Sequence, residues 1–157
     1  MNSTEIIKQG IALVEAGKLD AGMLLINQSI SIDPKDPEKI HVRAQIHSAI
    51  RKYDEAISDY KKAIFLKADV YQYHYNLANV YFDLKQFEKA IEYYSSAINL
   101  NPNDADIYSN RGTCYLQTQQ PILAYKDYKK TVVLNPTDPS ANNGLRMLTP
   151  ILQNANQ

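Results

Sequence analysis

A period of 34 residues runs through this chain and leaves few folds open to it. Pro34, Pro102 and Pro136 stand 68 and then 34 residues apart, and the missing member falls at Ala68, in a segment reading FLKAD where its siblings read SIDPKD, NLNPND and VLNPTD. On this ruler the chain divides into repeats 3–36, 37–70, 71–104 and 105–138, with a partial fifth beginning at Pro139. Small residues keep the register. Slot 8 holds Gly10, Ala44, Ala78 and Gly112; slot 20 holds Gly22, Ala56, Ala90 and Ala124; slot 27 holds Ser29, Ala63, Ala97 and Thr131. Two helices approach to about 8–10 Å only where the side chains at the crossing leave room. Slots 8 and 20 are therefore expected where the two helices of one repeat touch, and slot 27 where the next repeat begins. Bulky residues surround these contacts, with Leu13, His47, Tyr81 and Tyr115 in slot 11 and Ile26, Tyr60, Tyr94 and Tyr128 in slot 24.

Each repeat reads as helix, short turn, helix. In the third, Tyr71, His74, Leu77, Ala78, Tyr81 and Leu84 form a stripe of helical period, Lys85-Gln86 breaks it, and Phe87, Ala90, Ile91, Tyr94, Ala97 and Ile98 resume it. Asn101-Pro102 stops the second helix, since the residue before proline is pushed out of the α region. The predicted helices lie near 3–16, 19–32, 37–50, 53–66, 71–84, 87–100, 105–118, 121–134 and 139–149. A capping helix over 139–150 should end at Pro150, leaving 151–157 as a polar tail. Leu145 and Met147-Leu148 are expected to cover the last repeat.

Composition narrows the partners. Lys plus Arg and Asp plus Glu both number 17, so the net charge is zero. That argues against nucleic acid, which demands clustered cations, and against a membrane surface. One Cys excludes a disulfide framework. MNSTEIIKQG carries no positive stretch ahead of an apolar one, so a cytoplasmic protein is expected. The 12 Tyr all lie between Tyr53 and Tyr128, and seven of them (Tyr53, Tyr60, Tyr81, Tyr94, Tyr108, Tyr115 and Tyr128) occupy core slots.

Leu77, Ala78, Tyr81, Ala90, Tyr94, Ala97 and Pro102 of the third repeat, with their counterparts over 3–138, resemble the tetratricopeptide repeat family. The resemblance implies an all-α, right-handed superhelical solenoid of four repeats and a capping helix, its first helices lining a concave groove. It implies a protein–protein interaction module, an adaptor, scaffold or co-chaperone-like protein, that holds a partner segment and catalyses nothing. A self-associating structural protein, a possible homodimer joined through Ile7, Ile11 and Val14, is an alternative; so is the targeting subunit of an enzyme complex.

Groove slots carried over from the family give Ile7, Ile11, His41, Gln45, Tyr75, Asn76, Asn79, Phe82, Asn110 and Thr113 as candidate partner contacts. Asn76 and Asn110 share slot 6, an arrangement similar to the asparagine ladders that hold an extended backbone in some members, since an amide both donates and accepts. The family's clamp for terminal carboxylates of heat-shock chaperones needs cations that this chain lacks: repeats two to four place His41, Asp106 and Asn110 there, and repeats one to three place Ile7, Gln72 and Asn76. Asp106 would repel a carboxylate, so a dicarboxylate tail is not the expected ligand.

No motif for chemistry competes with this reading. His47 and His74 fall in packing slots, His41 has no second ligand three or four residues away, and Cys114 aligns with Ala12, Ile46 and Val80 as a small hydrophobe. No phosphate loop or nucleophile elbow is present, so neither metal nor cofactor is expected. Lys61-Lys62 and Lys129-Lys130 sit in equivalent slots and read as solvated faces.

Overall fold

The computed structural model describes residues 2–154. Among these the chain forms nine helices and no strand: α1 (Ser3–Glu15), α2 (Leu19–Ile32), α3 (Pro37–Ala49), α4 (Tyr53–Leu66), α5 (Tyr71–Asp83), α6 (Phe87–Leu100), α7 (Ala105–Gln117), α8 (Pro121–Leu134) and α9 (Pro139–Asn154). The starts of the odd-numbered helices follow from local chemistry. Asn2 caps α1 in a reciprocal box, its Oδ1 accepting from the Glu5 N–H at 2.9 Å while Glu5 Oε2 accepts from the Asn2 N–H at 3.0 Å. Asp36, Asp104 and Asp138, all in slot 34, accept from backbone N–H groups in the first turns of α3, α7 and α9. Val70 takes that slot before α5 and has no side chain with which to cap it. The same junction carries Ala68 in place of the proline. There the chain divides into two compact units, Met1–Asp69 and Val70–Gln157.

The turn inside each repeat is set by slot 15. Gly17, Arg51, Lys85 and Gln119 all adopt positive φ, +78°, +61°, +58° and +58°. The next N–H then reaches back 2.8 Å to the carbonyl of Leu13, His47, Tyr81 or Tyr115. This is a Schellman closure, and glycine alone enters it without a Cβ penalty.

In the first unit α1 and α2 meet at their glycines. A Cβ on Gly10 would lie 2.8 Å from Ile26 Cγ1 and 2.9 Å from the Gly22 carbonyl oxygen. Lys39 ties three segments together, its Nζ lying 2.9 Å from Ser3 Oγ, 2.9 Å from Asp33 and 3.0 Å from Asp36. Burial works against its charge, but the bonds to Asp33 and Asp36 outweigh that and raise its pKa. In the second unit Tyr128 fills the space between Gly112 and Gly144, joined by Ala124, Ala141 and Leu148. Ile107 and Cys114 on α7, which packs against both α6 and α8, are fully buried.

One element of both cores is ionic. Arg43 forks onto Asp59 at 2.8 and 2.6 Å and reaches Asn27 on α2 at 2.8 Å. Arg111 does the same 68 residues later, forking onto Asp127 at 2.7 and 2.8 Å and reaching Ser95 on α6 at 2.9 Å. Slots 7 and 23 thus hold an Arg–Asp pair in repeats two and four, where repeat three has Leu77 and Tyr93. Each arginine joins both helices of its own repeat to the second helix of the preceding one.

Three expectations are corrected. The last helix does not stop at Pro150 but runs through it to Asn154, so residues 151–154 of the expected tail are helical. Pro150 is solvent-exposed on the final turns, where water can take the carbonyl that the missing N–H leaves open. Residues 155–157 lie outside the described residues. Met147 is 58% exposed; Ala141, Gly144 and Leu148 are the residues of α9 that are buried, with Leu145 partly covered. Tyr73, absent from the expected core set, is completely buried.

Arg111→Ala should cost about 3–5 kcal/mol in chemical denaturation, because it strands the buried Asp127 carboxylate. The double change R111L/D127Y, which copies repeat three, should recover most of that loss. Gly144→Ala should lower the melting temperature through a clash with the Tyr128 ring, a cost of about 1–3 kcal/mol.

Candidate functional site

Six of the ten predicted contacts lie in the second unit, on α5 and α7. Tyr75, Asn76, Asn79 and Phe82 on α5 are half-buried, as are Asn110 and Thr113 on α7. Slots 5, 6, 9 and 12 recur three and four residues apart, which keeps them on one arc of each helix. The side chains are linked. Asn110 Nδ2 lies 3.4 Å from the Tyr75 hydroxyl, the Tyr94 hydroxyl donates to Asn79 Oδ1 at 2.6 Å, and the rings of Tyr75 and Tyr94 are 6.0 Å apart. Thr113 Oγ1 lies 3.2 Å from the Tyr128 hydroxyl. The amides of Asn79 and Asn110 are therefore partly engaged, a feature that slot numbers alone do not reveal.

Below this network an open cleft of about 380 Å³ is lined by Phe82, Asp83, Lys85, Phe87, Thr113 and Gln117. Phe82 and Phe87 meet edge to face at 5.8 Å. Burial raises the pKa of Tyr75; its hydrogen bonds to Asn79 and Asn110 oppose this, while Asp106 and Asp104 add to it. The face thus offers aromatic surface, amide donors and acceptors, and carboxylates at its margin.

The four contacts expected in the first unit fare differently. Ile7 and His41 are 7% and 8% exposed, so both serve packing more than contact. The His41 ring lies 5.7 Å from that of Tyr60, and burial lowers its pKa against the pull of Glu38, which leaves the imidazole neutral at pH 7. Ile11 is half-buried and Gln45 is exposed. The clefts of this unit use other residues. One of about 390 Å³ is lined by Arg43, His47, Asp54, Glu55, Ser58 and Asp59, and another of about 320 Å³ by Gln9, Ala12, Leu13 and Leu25. His47, expected to pack, is largely covered and also lines the first cleft, with Nδ1 3.3 Å from Asp59 Oδ2. The recurrence of Arg and Asp in slots 7 and 23 was the sequence signal for that site.

Among the described residues no group of three or more His, Cys, Asp or Glu side chains could hold a metal ion, and no helix is long and apolar enough to cross a membrane. Cys114 is wholly buried, and burial pushes its thiol up to about 12.

Family models match two stretches: one described as a TPR repeat over residues 78–119, and one described as anaphase-promoting complex, cyclosome, subunit 3 over residues 15–97. The first tetratricopeptide domain of Spaghetti (RPAP3), solved with the HSP90 peptide SRMEEVD, is 30% identical over 77% of this chain and 96% of its own, with a TM-score of 0.70. The chain belongs to the tetratricopeptide repeat family. The MamA crystal structure matches 93% of this tetratricopeptide chain and 80% of its own length at a TM-score of 0.87 and 23% identity. A chain of the APC/C hetero-tetramer Cut9–Hcn1 is similar over 94% of this chain and 30% of its own, at a TM-score of 0.79 and 18% identity. Both support the all-α helical-repeat solenoid fold. Comparison with curated protein sequences finds no match.

Native Cys114 should resist iodoacetamide at pH 8, where a thiol with so raised a pKa is protonated, and should react fully once the chain is unfolded; rapid alkylation of the folded protein would contradict its burial.

Proposed function

We propose that this tetratricopeptide chain is a non-catalytic interaction module, an adaptor or scaffold of the cytoplasm, that holds a segment of a partner protein against the α5–α7 face. The observation that carries this reading is the linked set Tyr75, Asn79, Tyr94 and Asn110 beside the Phe82 cleft. Aromatic rings there supply contact area at small entropic cost, and amides can pair with a partner's backbone without demanding one sequence. The lone Cys, buried and unbridged, suits a reducing compartment. The same module could serve as the targeting subunit of an enzyme complex. Self-association through Ile7, Ile11 and Val14 is the weaker reading, because Ile7 is buried and Ile11 and Val14 are half-covered.

The partner is not expected to be a dicarboxylate tail. RPAP3 was solved with SRMEEVD, but in this chain His41 is buried and neutral, and the other cationic slots hold Asp106 and Asn110. In calorimetry SRMEEVD should bind no better than its scrambled sequence; micromolar, sequence-dependent binding would overturn that exclusion. In a pull-down, N76A/N110A should weaken capture of the natural partner by about tenfold while leaving the melting temperature unchanged. Equal capture would remove the α5–α7 face as the contact.

A further inference from the structure

The outer strip of α8 combines exposed apolar and cationic residues in a way the groove reading does not use. Ile122, Lys126, Lys129 and Val133 follow one another at intervals of four, three and four residues, which aligns them on one face over about 16 Å. Ile122 is 59% exposed and Val133 74%, and Lys126 and Lys129 are exposed between them. Lys130 flanks the strip. Lys129 and Lys130 lie over the rings of Tyr125 and Tyr108, each at 5.9 Å, and among the described residues none of the three lysines is ion-paired. The helix's one carboxylate, Asp127, is buried and committed to Arg111.

The pattern recurs. Sixty-eight residues earlier α4 carries Lys61-Lys62 and then Phe65, which is 87% exposed. The other two repeats have Asn27-Gln28 with Ser31 and Ser95-Ser96 with Asn99 in those slots. Part of the difference has a packing cause: Asn27 and Ser95 accept from Arg43 and Arg111, a place where a lysine would repel. No such contact accounts for Phe65 and Val133. A solvated face has no use for so exposed an apolar side chain in the same slot of both alternate repeats.

We propose that the outer face of α8 docks a helical segment of a partner protein, one with apolar residues eleven apart and Asp or Glu between them. Its end residues would cover Ile122 and Val133, and its carboxylates would pair with Lys126 and Lys129. A lone row of three lysines is too weak to hold an acidic ligand through charge, so both apolar anchors are required.

The test displays helical 15-mers, randomised at four positions spaced four, three and four apart, against the full chain. The expected selection is Leu, Ile or Phe at the outer positions and Asp or Glu at the inner ones. Affinity of the winners should fall about tenfold in K126E/K129E and again in V133S, and stay unchanged in N76A/N110A. Circular dichroism should show all variants folded. Winners without acidic residues, or equal binding by K126E/K129E, would overturn the proposal. Two other results would do so in favour of a different occupant: sedimentation with phosphatidylserine vesicles lost in V133S, or a concentration-dependent dimer in light scattering that V133S abolishes. Because the groove variant is carried in parallel, failure here is distinct from failure of the α5–α7 reading.

Discussion

Two helices of a repeat can share a core only if their backbones come close, and in this chain closeness is enforced at slots 8 and 20. At Gly10 and Gly22 there is no room even for a Cβ, and in the second and third repeats alanines meet the same demand with no exposed surface. Once the crossing is fixed, the aromatic and branched side chains of slots 11 and 24 fall on either side of it and close the core. Tyr128 illustrates the dependence. Its ring lies between Gly112 and Gly144, so two helices are positioned by one side chain and by the absence of two others. Buried tyrosines such as Tyr60, Tyr94 and Tyr128 carry the volume that tryptophan would supply elsewhere; the chain has none.

A second, slower rhythm overlies the first. Arg43 and Arg111 place a forked ion pair between the two helices of their own repeat, where repeat three has Leu77 and Tyr93, and their further bond to the preceding repeat sets what that slot can hold. Asn27 and Ser95 accept from the guanidinium groups, while the same slot in the alternate repeats is free to be lysine. The lysine pair of slots 25 and 26 therefore recurs with a 68-residue period, and each compact unit contains one copy of the arrangement.

Much of this was legible in the residues. Register of small side chains, the helical stripe and proline stops located eight of the nine helices to within a residue or so, because each signal acts locally. Pro150 misled: proline breaks helices by removing one hydrogen bond, and an exposed final turn tolerates the loss. The candidate site was legible as a set of slots but not as chemistry. Slot 5 holds Ile7, His41, Tyr75 and Ser109, of which only Tyr75 stays partly open, because accessibility depends on neighbours distant in sequence. Asn79 and Asn110 were expected as partner contacts, and both are engaged by tyrosine hydroxyls from other helices.

By itself the sequence determined the repeat, the helical pairs and the family, since periodic steric demands are written in every copy and need no long-range information. Tertiary structure decided which slot residues remain at a surface, which amides are already paired, and that Arg and Asp sixteen residues apart close a buried fork. It also decided that Met147 faces water while Gly144 faces Tyr128. These outcomes rest on distances between groups on different helices, and a 34-residue ruler measures position along the chain, not separation across it.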